Sequence, residues 1–122
     1  MRKFLVALLL MAGTSGVLAE KISDIQVSRS WVYLYNDKGR CYKTLSTSSV
    51  GTLVGYSSDF FVSESPSWVY LYDSDGKRYK TLSKSSVGEV IGVAGRTFTS
   101  RSGSWIYTWD MDGRKINTRS AR

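Results

Sequence analysis

The chain contains no histidine, and this absence removes several kinds of catalysis at once. Histidine is the usual general base near neutral pH, a frequent zinc ligand and the base of the Ser-His and Cys-His nucleophile arrangements. With 122 residues the chain has room for one small domain, and 42% apolar and 13% aromatic residues are enough for a packed core. We therefore expect a folded, non-enzymatic protein without a metal or cofactor.

The chain also lacks an apolar run long enough to cross a bilayer, which takes about 20 residues. Its longest apolar run, residues 4–12, follows the positive charges of Arg2 and Lys3 and precedes a small-residue pattern that ends at Ala19. This is the pattern of a secretory signal peptide. We expect cleavage after Ala19, so that residues 1–19 are removed and residues 20–122 form a secreted or periplasmic domain with no membrane span.

What the chain does have is a repeat of 37 residues. The six-residue segments that begin at Ser30, Ser67 and Ser104 match one another, and each leads through a turn to a second strand. Each turn holds a glycine where a hairpin needs a positive φ angle: Gly39, Gly76 and Gly113. Short β-branched and aromatic runs between these hairpins predict two more strands per repeat. The sequence therefore predicts an all-β fold of three tandem four-stranded antiparallel repeats, at about residues 20–50, 51–87 and 88–122.

The strand order of each repeat resembles a β-propeller blade. In the last repeat the strands are expected at Glu89–Ala94, Thr97–Ser100, Trp105–Trp109 and Arg114–Thr118. The second repeat has, between its third and fourth strands, the Tyr-Asp-x-Asp-Gly-Lys hairpin of many blades. The resemblance covers residues 20–122 and points to no specific family. The first repeat is incomplete, because its innermost strand falls on residues 15–19 of the signal peptide, which leaves it three strands.

The three repeats can be arranged around a common axis in two ways. Three blades are too few for a propeller, which typically has four to eight. Two copies would form one ring and so hide their sheet edges, which predicts a homo-oligomer. Alternatively, three repeats would close on a pseudo-threefold axis in a β-trefoil-like arrangement. The strand order and the hairpins favour propeller-like blades.

An aromatic stripe runs along the third strand of each repeat. Alternation places Trp31, Tyr33 and Tyr35 on one face and aliphatic residues on the other. Because both faces are apolar, this strand is expected between two neighbouring sheets, with Trp68 of the middle repeat buried. The alternative, a row of exposed rings that stack on sugars or grip a peptide, stays open.

Cys41 is the one cysteine of the chain. Its counterparts in the other repeats are Arg78 and Lys115, and charged residues do not recur on a buried face, so we expect the thiol on the solvent side. In an oxidising compartment such a thiol either stays free or forms an intermolecular disulfide.

Two acidic pairs precede turn glycines, Asp73 with Asp75 and Asp110 with Asp112. A calcium loop of the EF-hand type would need a longer acidic frame and a later glutamate. Turn chemistry explains the pairs without a metal, because aspartate caps such a turn and glycine supplies the positive φ angle.

The formal net charge is +7, and the basic residues fall mainly on the outer strand of each repeat. They form either a solvated face that blocks edge pairing or a site for an anionic partner, such as an envelope polysaccharide, a lipid headgroup or an acidic protein. Nucleic acid fits poorly, because the protein is expected to be exported and has no recognition module.

Three near-identical units favour multivalent recognition over a unique catalytic pocket. We expect a binding module for a glycan or a protein surface. The alternative is an envelope structural component that acts by oligomerisation. The candidate ligand contacts lie at the ends of the aromatic strands and on the outer strands: Tyr35, Tyr72, Trp109, Arg78, Lys80 and Lys115.

Overall fold

The computed structural model describes residues 20–121 of the chain. The expected signal peptide, its cleavage after Ala19 and the terminal Arg122 lie outside the described residues. Within residues 20–121, no helix has the length and apolar character that a membrane crossing requires.

The described residues form three antiparallel sheets that follow one another along the chain. The first sheet contains β1 (Asp24–Val27), β2 (Trp31–Tyr35) and β3 (Cys41–Ser46). The second contains β4 (Thr52–Tyr56), β5 (Phe60–Glu64), β6 (Trp68–Asp73) and β7 (Arg78–Ser83). The third contains β8 (Glu89–Ala94), β9 (Thr97–Ser102), β10 (Trp105–Asp110) and β11 (Lys115–Ser120). Single helical turns, α1 (Thr47–Val50) and α2 (Lys84–Val87), connect successive sheets.

The prediction of three tandem antiparallel repeats is confirmed, with three, four and four strands in chain order. Within each sheet, strands that follow one another in the sequence pair antiparallel, as in a meander. Residues 20–121 form no closed barrel. The separate meanders follow the predicted strand order of the repeats and do not form the closed barrel of the trefoil-like alternative.

The interface between the first and second sheets is formed by large apolar side chains from both. Val32 and Leu34 of β2 pack with Phe61 of β5 and Tyr72 of β6, and all four are buried. The rings of Phe61 and Tyr72 stack at a centroid distance of 4.6 Å. Burial of such side chains stabilises the fold by about 1.5–3 kcal/mol each, so this interface holds the two sheets together.

The opposite face of the second sheet packs against the third sheet. Phe60 and Leu71 meet Phe98 of β9 and Trp109 of β10 in a second buried cluster. Phe98 stacks on Trp109 at 5.9 Å and lies 6.4 Å from Phe60. The second sheet is thus covered on both faces, as the alternation predicted for its aromatic strand. The first and third sheets each keep one outer face.

Two buried serines hold the helical turns against the sheets. The Ser63 hydroxyl donates to the backbone carbonyl of Val50 at 2.6 Å, and 37 residues later Ser100 donates to Val87 at the same distance. A buried hydroxyl without a partner would be costly, so each bond satisfies the serine and one of the carbonyls at the end of a helical turn.

The hairpin turns have the geometry that the sequence predicted. Gly39, Gly76 and Gly113 have φ angles of 76°, 84° and 83°. In the second sheet, Asp73 Oδ1 accepts hydrogen bonds from the backbone N–H groups of Asp75 and Lys77, both at 3.0 Å. Asp110 does the same in the third sheet. The aspartates therefore act as turn caps.

Candidate functional site

The first residue of each aromatic strand, Trp31, Trp68 or Trp105, is half exposed. The exposed fractions are 48%, 47% and 51%. The prediction that Trp68 is buried is therefore wrong. The physical reason is its place at the end of β6, because Tyr70 and Tyr72 on the same strand face pack against the first sheet while Trp68 lies beyond that contact.

All three tryptophans lie at the same end of their sheets. In each sheet the tryptophan pairs with a serine that is the last residue of the outer strand. These serines are Ser46 of β3, Ser83 of β7 and Ser120 of β11. The glycine hairpins are at the opposite end. We call this end the tryptophan edge and define it as residues 28–31, 46–49, 64–68, 83–86, 101–105 and 120.

A cleft of about 500 Å³ lies beside the middle tryptophan. It is lined by Pro66, Ser67, Trp68, Ser83, Lys84 and Ser85. A second, shallower cleft of about 250 Å³ shares Pro66 and Lys84 with it. An exposed ring face next to several hydroxyl groups suits a ligand with both an apolar face and hydrogen-bonding groups.

The backbone at the tryptophans is fixed by serines of the preceding turns. The Ser28 hydroxyl accepts a hydrogen bond from the Trp31 N–H at 3.1 Å, and the Ser65 hydroxyl accepts one from the Trp68 N–H at 3.2 Å. The Tyr70 hydroxyl also donates to the Ser65 hydroxyl. The position of each of these rings is thus set by a turn that recurs with the repeat.

A basic residue lies close to each tryptophan. Arg29 is two residues before Trp31, in the exposed turn between β1 and β2. Lys84 lines the same cleft as Trp68, with its Nζ 3.1 Å from Glu64 Oε1. Arg101 Nε donates to the carbonyl of Gly103 at 3.2 Å, in the turn before Trp105. The three basic residues, Arg29, Lys84 and Arg101, do not occupy equivalent positions of the 37-residue repeat.

The aromatic residues that the sequence singled out as ligand contacts have other positions. Tyr72 and Trp109 are only 4% and 7% exposed, because they pack between sheets. Trp109 Nε1 donates to the Ser100 hydroxyl at 2.9 Å, which satisfies its polar atom inside the core. Tyr35 is half-buried on the outer face of the first sheet.

The basic residues among those candidates also have structural contacts. The Arg78 guanidinium lies 4.1 Å from the centroid of the Tyr70 ring, and Lys115 Nζ lies 3.8 Å from that of Tyr107. Lys80 covers the next turn, where a Cβ on Gly113 would meet its side chain at 3.2 Å. None of the six predicted contacts lies at the tryptophan edge. The structure brings Tyr72 and Arg78 together as cross-strand neighbours within the second sheet, and Trp109 and Lys115 within the third.

Cys41 is exposed, as its counterparts predicted. It pairs with Tyr35 on the first sheet, and its Sγ lies 3.6 Å from the carbonyl of Lys43. The intermolecular disulfide stays a prediction.

A cleft of about 430 Å³ at the opposite end of the sheets contains the acidic turns. Its lining includes Asp73, Asp110 and Tyr79. The hydrogen bond from the Arg114 N–H is the main cause that lowers the pKa of Asp110, and burial raises the pKa of Tyr79 to about 12. Within residues 20–121, no group of three or more acidic or cysteine side chains is arranged to hold a metal ion. The carboxylates of this cleft serve the turns.

No protein-family model matches this chain, and the comparison with curated proteins finds no match.

Proposed function

We propose that the protein is an exported, non-enzymatic module of propeller-like sheets that binds a glycan through Trp31, Trp68 and Trp105. The observation that carries this proposal is the recurrence of a half-exposed tryptophan at the same place in three sheets. A large exposed aromatic ring is unfavourable in water, and its recurrence at the same end of three successive sheets favours a shared role in binding. The alternation of apolar residues in the sequence does not by itself show that these three rings are exposed.

The surroundings of the rings favour a glycan over a protein partner. The core of a protein interface is usually a contiguous apolar patch, whereas the cleft at Trp68 is lined mainly by serines and Lys84. A sugar ring offers an apolar C–H face for stacking and a rim of hydroxyls for hydrogen bonds. One ring beside several hydroxyls matches that chemistry.

The outer face of the third sheet favours the binding hypothesis over the oligomerisation hypothesis. Threonines stand there at the places where the second sheet has buried apolar residues: Thr97 for Phe60, Thr99 for Val62 and Thr108 for Leu71. This face also carries Ile106, but its threonines make it more polar than the corresponding face of the second sheet, which favours contact with water. We therefore place binding ahead of assembly.

Three sites on one rigid surface allow weak individual contacts to add up. When one tryptophan is bound, the other two meet the same polysaccharide at a high effective concentration. We expect low affinity for a single sugar and clearly higher affinity for a long chain.

The experiment is a glycan array with the wild-type protein and a variant in which Trp31, Trp68 and Trp105 are all replaced by alanine. We expect the wild type to bind at least one glycan and the triple variant to lose this binding. The triple variant should still unfold cooperatively on heating, which would show that it is folded. The matched control is Ile116→Ala, which removes an equally exposed apolar side chain away from the tryptophan edge. The proposal is wrong if no glycan binds, or if the triple variant binds as the wild type does.

A further inference from the structure

Acidic residues avoid the tryptophan edge. Of the ten in the chain, eight lie at or near the opposite end of the sheets: Glu20, Asp24, Asp37, Asp59, Asp73, Asp75, Asp110 and Asp112. The remaining two are Glu64, which forms an ion pair with Lys84, and Glu89 at the start of β8. The two ends of the sheets thus differ in charge. The end that carries the tryptophans has an excess of basic residues.

Among the described residues, two of the basic side chains at this edge form no ion pair, and one of them, Arg101, is the cross-strand neighbour of Glu89 in β8. In the part of the chain that the structure describes, no carboxylate lies within ion-pair distance of Arg29 or Arg101. Both are exposed. The bond from Arg101 Nε to Gly103 keeps that guanidinium at the turn before Trp105, with its terminal nitrogens free for a ligand.

The middle site differs from the other two. Lys84 is paired with Glu64 at 3.1 Å, and both side chains are about two-thirds buried, so the charge next to Trp68 is largely compensated. Arg101 occupies in the third sheet the place that Glu64 occupies in the second. The repeat therefore changes from an acidic to a basic residue at the tryptophan edge of the third sheet. The register places Arg101 with Ile106 on the outer face of this sheet, and its bond to Gly103 holds the guanidinium at the turn that precedes Trp105.

We propose that the ligand of the tryptophan edge is an acidic glycan, and that Arg29 and Arg101 bind its carboxylates while the tryptophans stack on its sugar rings. This inference rests on the proposed function. A guanidinium binds a carboxylate through two parallel N–H···O bonds, which are stronger than bonds between neutral groups. At the middle site Trp68 stacks on a sugar ring of the ligand, and this contact requires no charged group.

The test uses pairs of oligosaccharides that differ only in charge. Oligouronates, including oligomers of galacturonic, glucuronic and mannuronic acid, are compared with their carboxyl-reduced forms by calorimetry at low and high salt. We expect at least one acidic oligosaccharide to bind about tenfold tighter than its neutral form, and the difference to shrink as salt screens the charges. Poly-L-glutamate supplies carboxylates without sugar rings, and we expect it to bind more weakly.

The variant R29Q/R101Q assigns the effect to these two residues. It should lose most of the preference for the acidic member and leave the affinity for the neutral member unchanged. Arg96→Gln is the matched control, because Arg96 is an exposed arginine in the β8–β9 turn at the opposite end. The inference is overturned if no acidic oligosaccharide binds, if neutral members bind equally well, if poly-L-glutamate binds as tightly, or if R29Q/R101Q behaves as the control does. Binding of neutral glycans that the tryptophan variant abolishes would leave the proposed function standing.

Discussion

The hydroxyl of Tyr79 donates a 2.6 Å hydrogen bond to the backbone carbonyl of Met111, which ties the outer strand of the second sheet to the hairpin of the third. Tyr42 makes the same bond to Ser74 between the first and second sheets. In the third sheet Ile116 takes this place, and it is 56% exposed. The tyrosine bond is thus a link between sheets.

The tyrosine links make stability depend on pH in the alkaline range. Burial is the main cause that raises the pKa of Tyr42 and of Tyr79 to about 12, above the unfolded value of about 10. A group whose pKa is raised on folding contributes stability that is complete below about pH 10 and is lost as the pH rises through 12. We expect the double variant Y42F/Y79F to be less stable than the wild type at pH 8, because it lacks two hydrogen bonds, and the difference to narrow by pH 11.5. Urea unfolding at both pH values measures it, and a difference that does not change with pH would contradict the prediction.

Gly55 and Gly92 occupy equivalent places in β4 and β8 but have different neighbours. A Cβ on Gly55 would lie 2.9 Å from Cγ2 of Val93, whereas a Cβ on Gly92 would have nothing within 4 Å. Since valine is stiff at χ1, we expect Gly55→Ala to destabilise by about 1–3 kcal/mol. Gly92→Ala should be neutral or slightly stabilising. Denaturant unfolding compares the two variants, and equal effects would show that the close approach of β4 and β8 is wrong.

Phe98 and Trp68 separate the core from the tryptophan edge. Phe98 is fully buried between the second and third sheets, so Phe98→Ala should destabilise by about 3–5 kcal/mol. Trp68→Ala removes a half-exposed ring, and we expect less than half of that loss. Thermal and denaturant unfolding of the two variants give the comparison. A larger loss for Trp68→Ala would mean that this ring belongs to the core.

The sequence predicts where the strands lie, but it does not predict which residues at the ends of the strands are buried. The 37-residue period and the turn glycines located β8 and the hairpins because both depend on local chemistry. Alternation shows which face of β6 Trp68 occupies, but it does not show where along the strand the neighbouring sheet stops. That depends on how two sheets are placed, which no local pattern contains. The burial of Trp68 was predicted wrongly for this reason.

The helical turns and the basic residues illustrate the same limit. α1 and α2 have four residues each, too short for a helical period, and their serines are equally typical of loops. The charges of Arg78 and Lys115 predict ligand contacts, and in the structure each of the two side chains lies over a tyrosine ring of the neighbouring strand. A charged side chain in a strand does not reveal whether its stem packs on an aromatic neighbour.

The outer face of the third sheet supplies a test of self-association. Replacing Thr97, Thr99 and Thr108 by the phenylalanine, valine and leucine of the second sheet would make this face resemble one that is normally covered. We expect the triple variant to associate more strongly than the wild type, because exposed apolar area drives association. Sedimentation across a range of concentrations measures both proteins. A triple variant with the same mass as the wild type would show that these threonines do not limit association.

Cys41 allows the predicted disulfide to be examined separately. Its thiol is exposed on the first sheet, within reach of oxidant and of a second molecule. We expect a covalent dimer in non-reducing electrophoresis after oxidation, absent from Cys41→Ser. Sedimentation of Cys41→Ser shows whether a dimer persists without the bond. Failure of oxidised wild type to cross-link would remove the disulfide prediction.

The contacts between sheets recur at an interval of 37 residues, as the Ser63 and Ser100 bonds to the helical turns show. A tandem duplication of residues 51–87 would therefore supply both faces that its new neighbours require and leave the two terminal sheets unchanged. Each duplication would lengthen the protein by one sheet and one exposed tryptophan. Unequal crossing-over within one gene would in this way change the number of sheets and of exposed tryptophans without requiring a new interface.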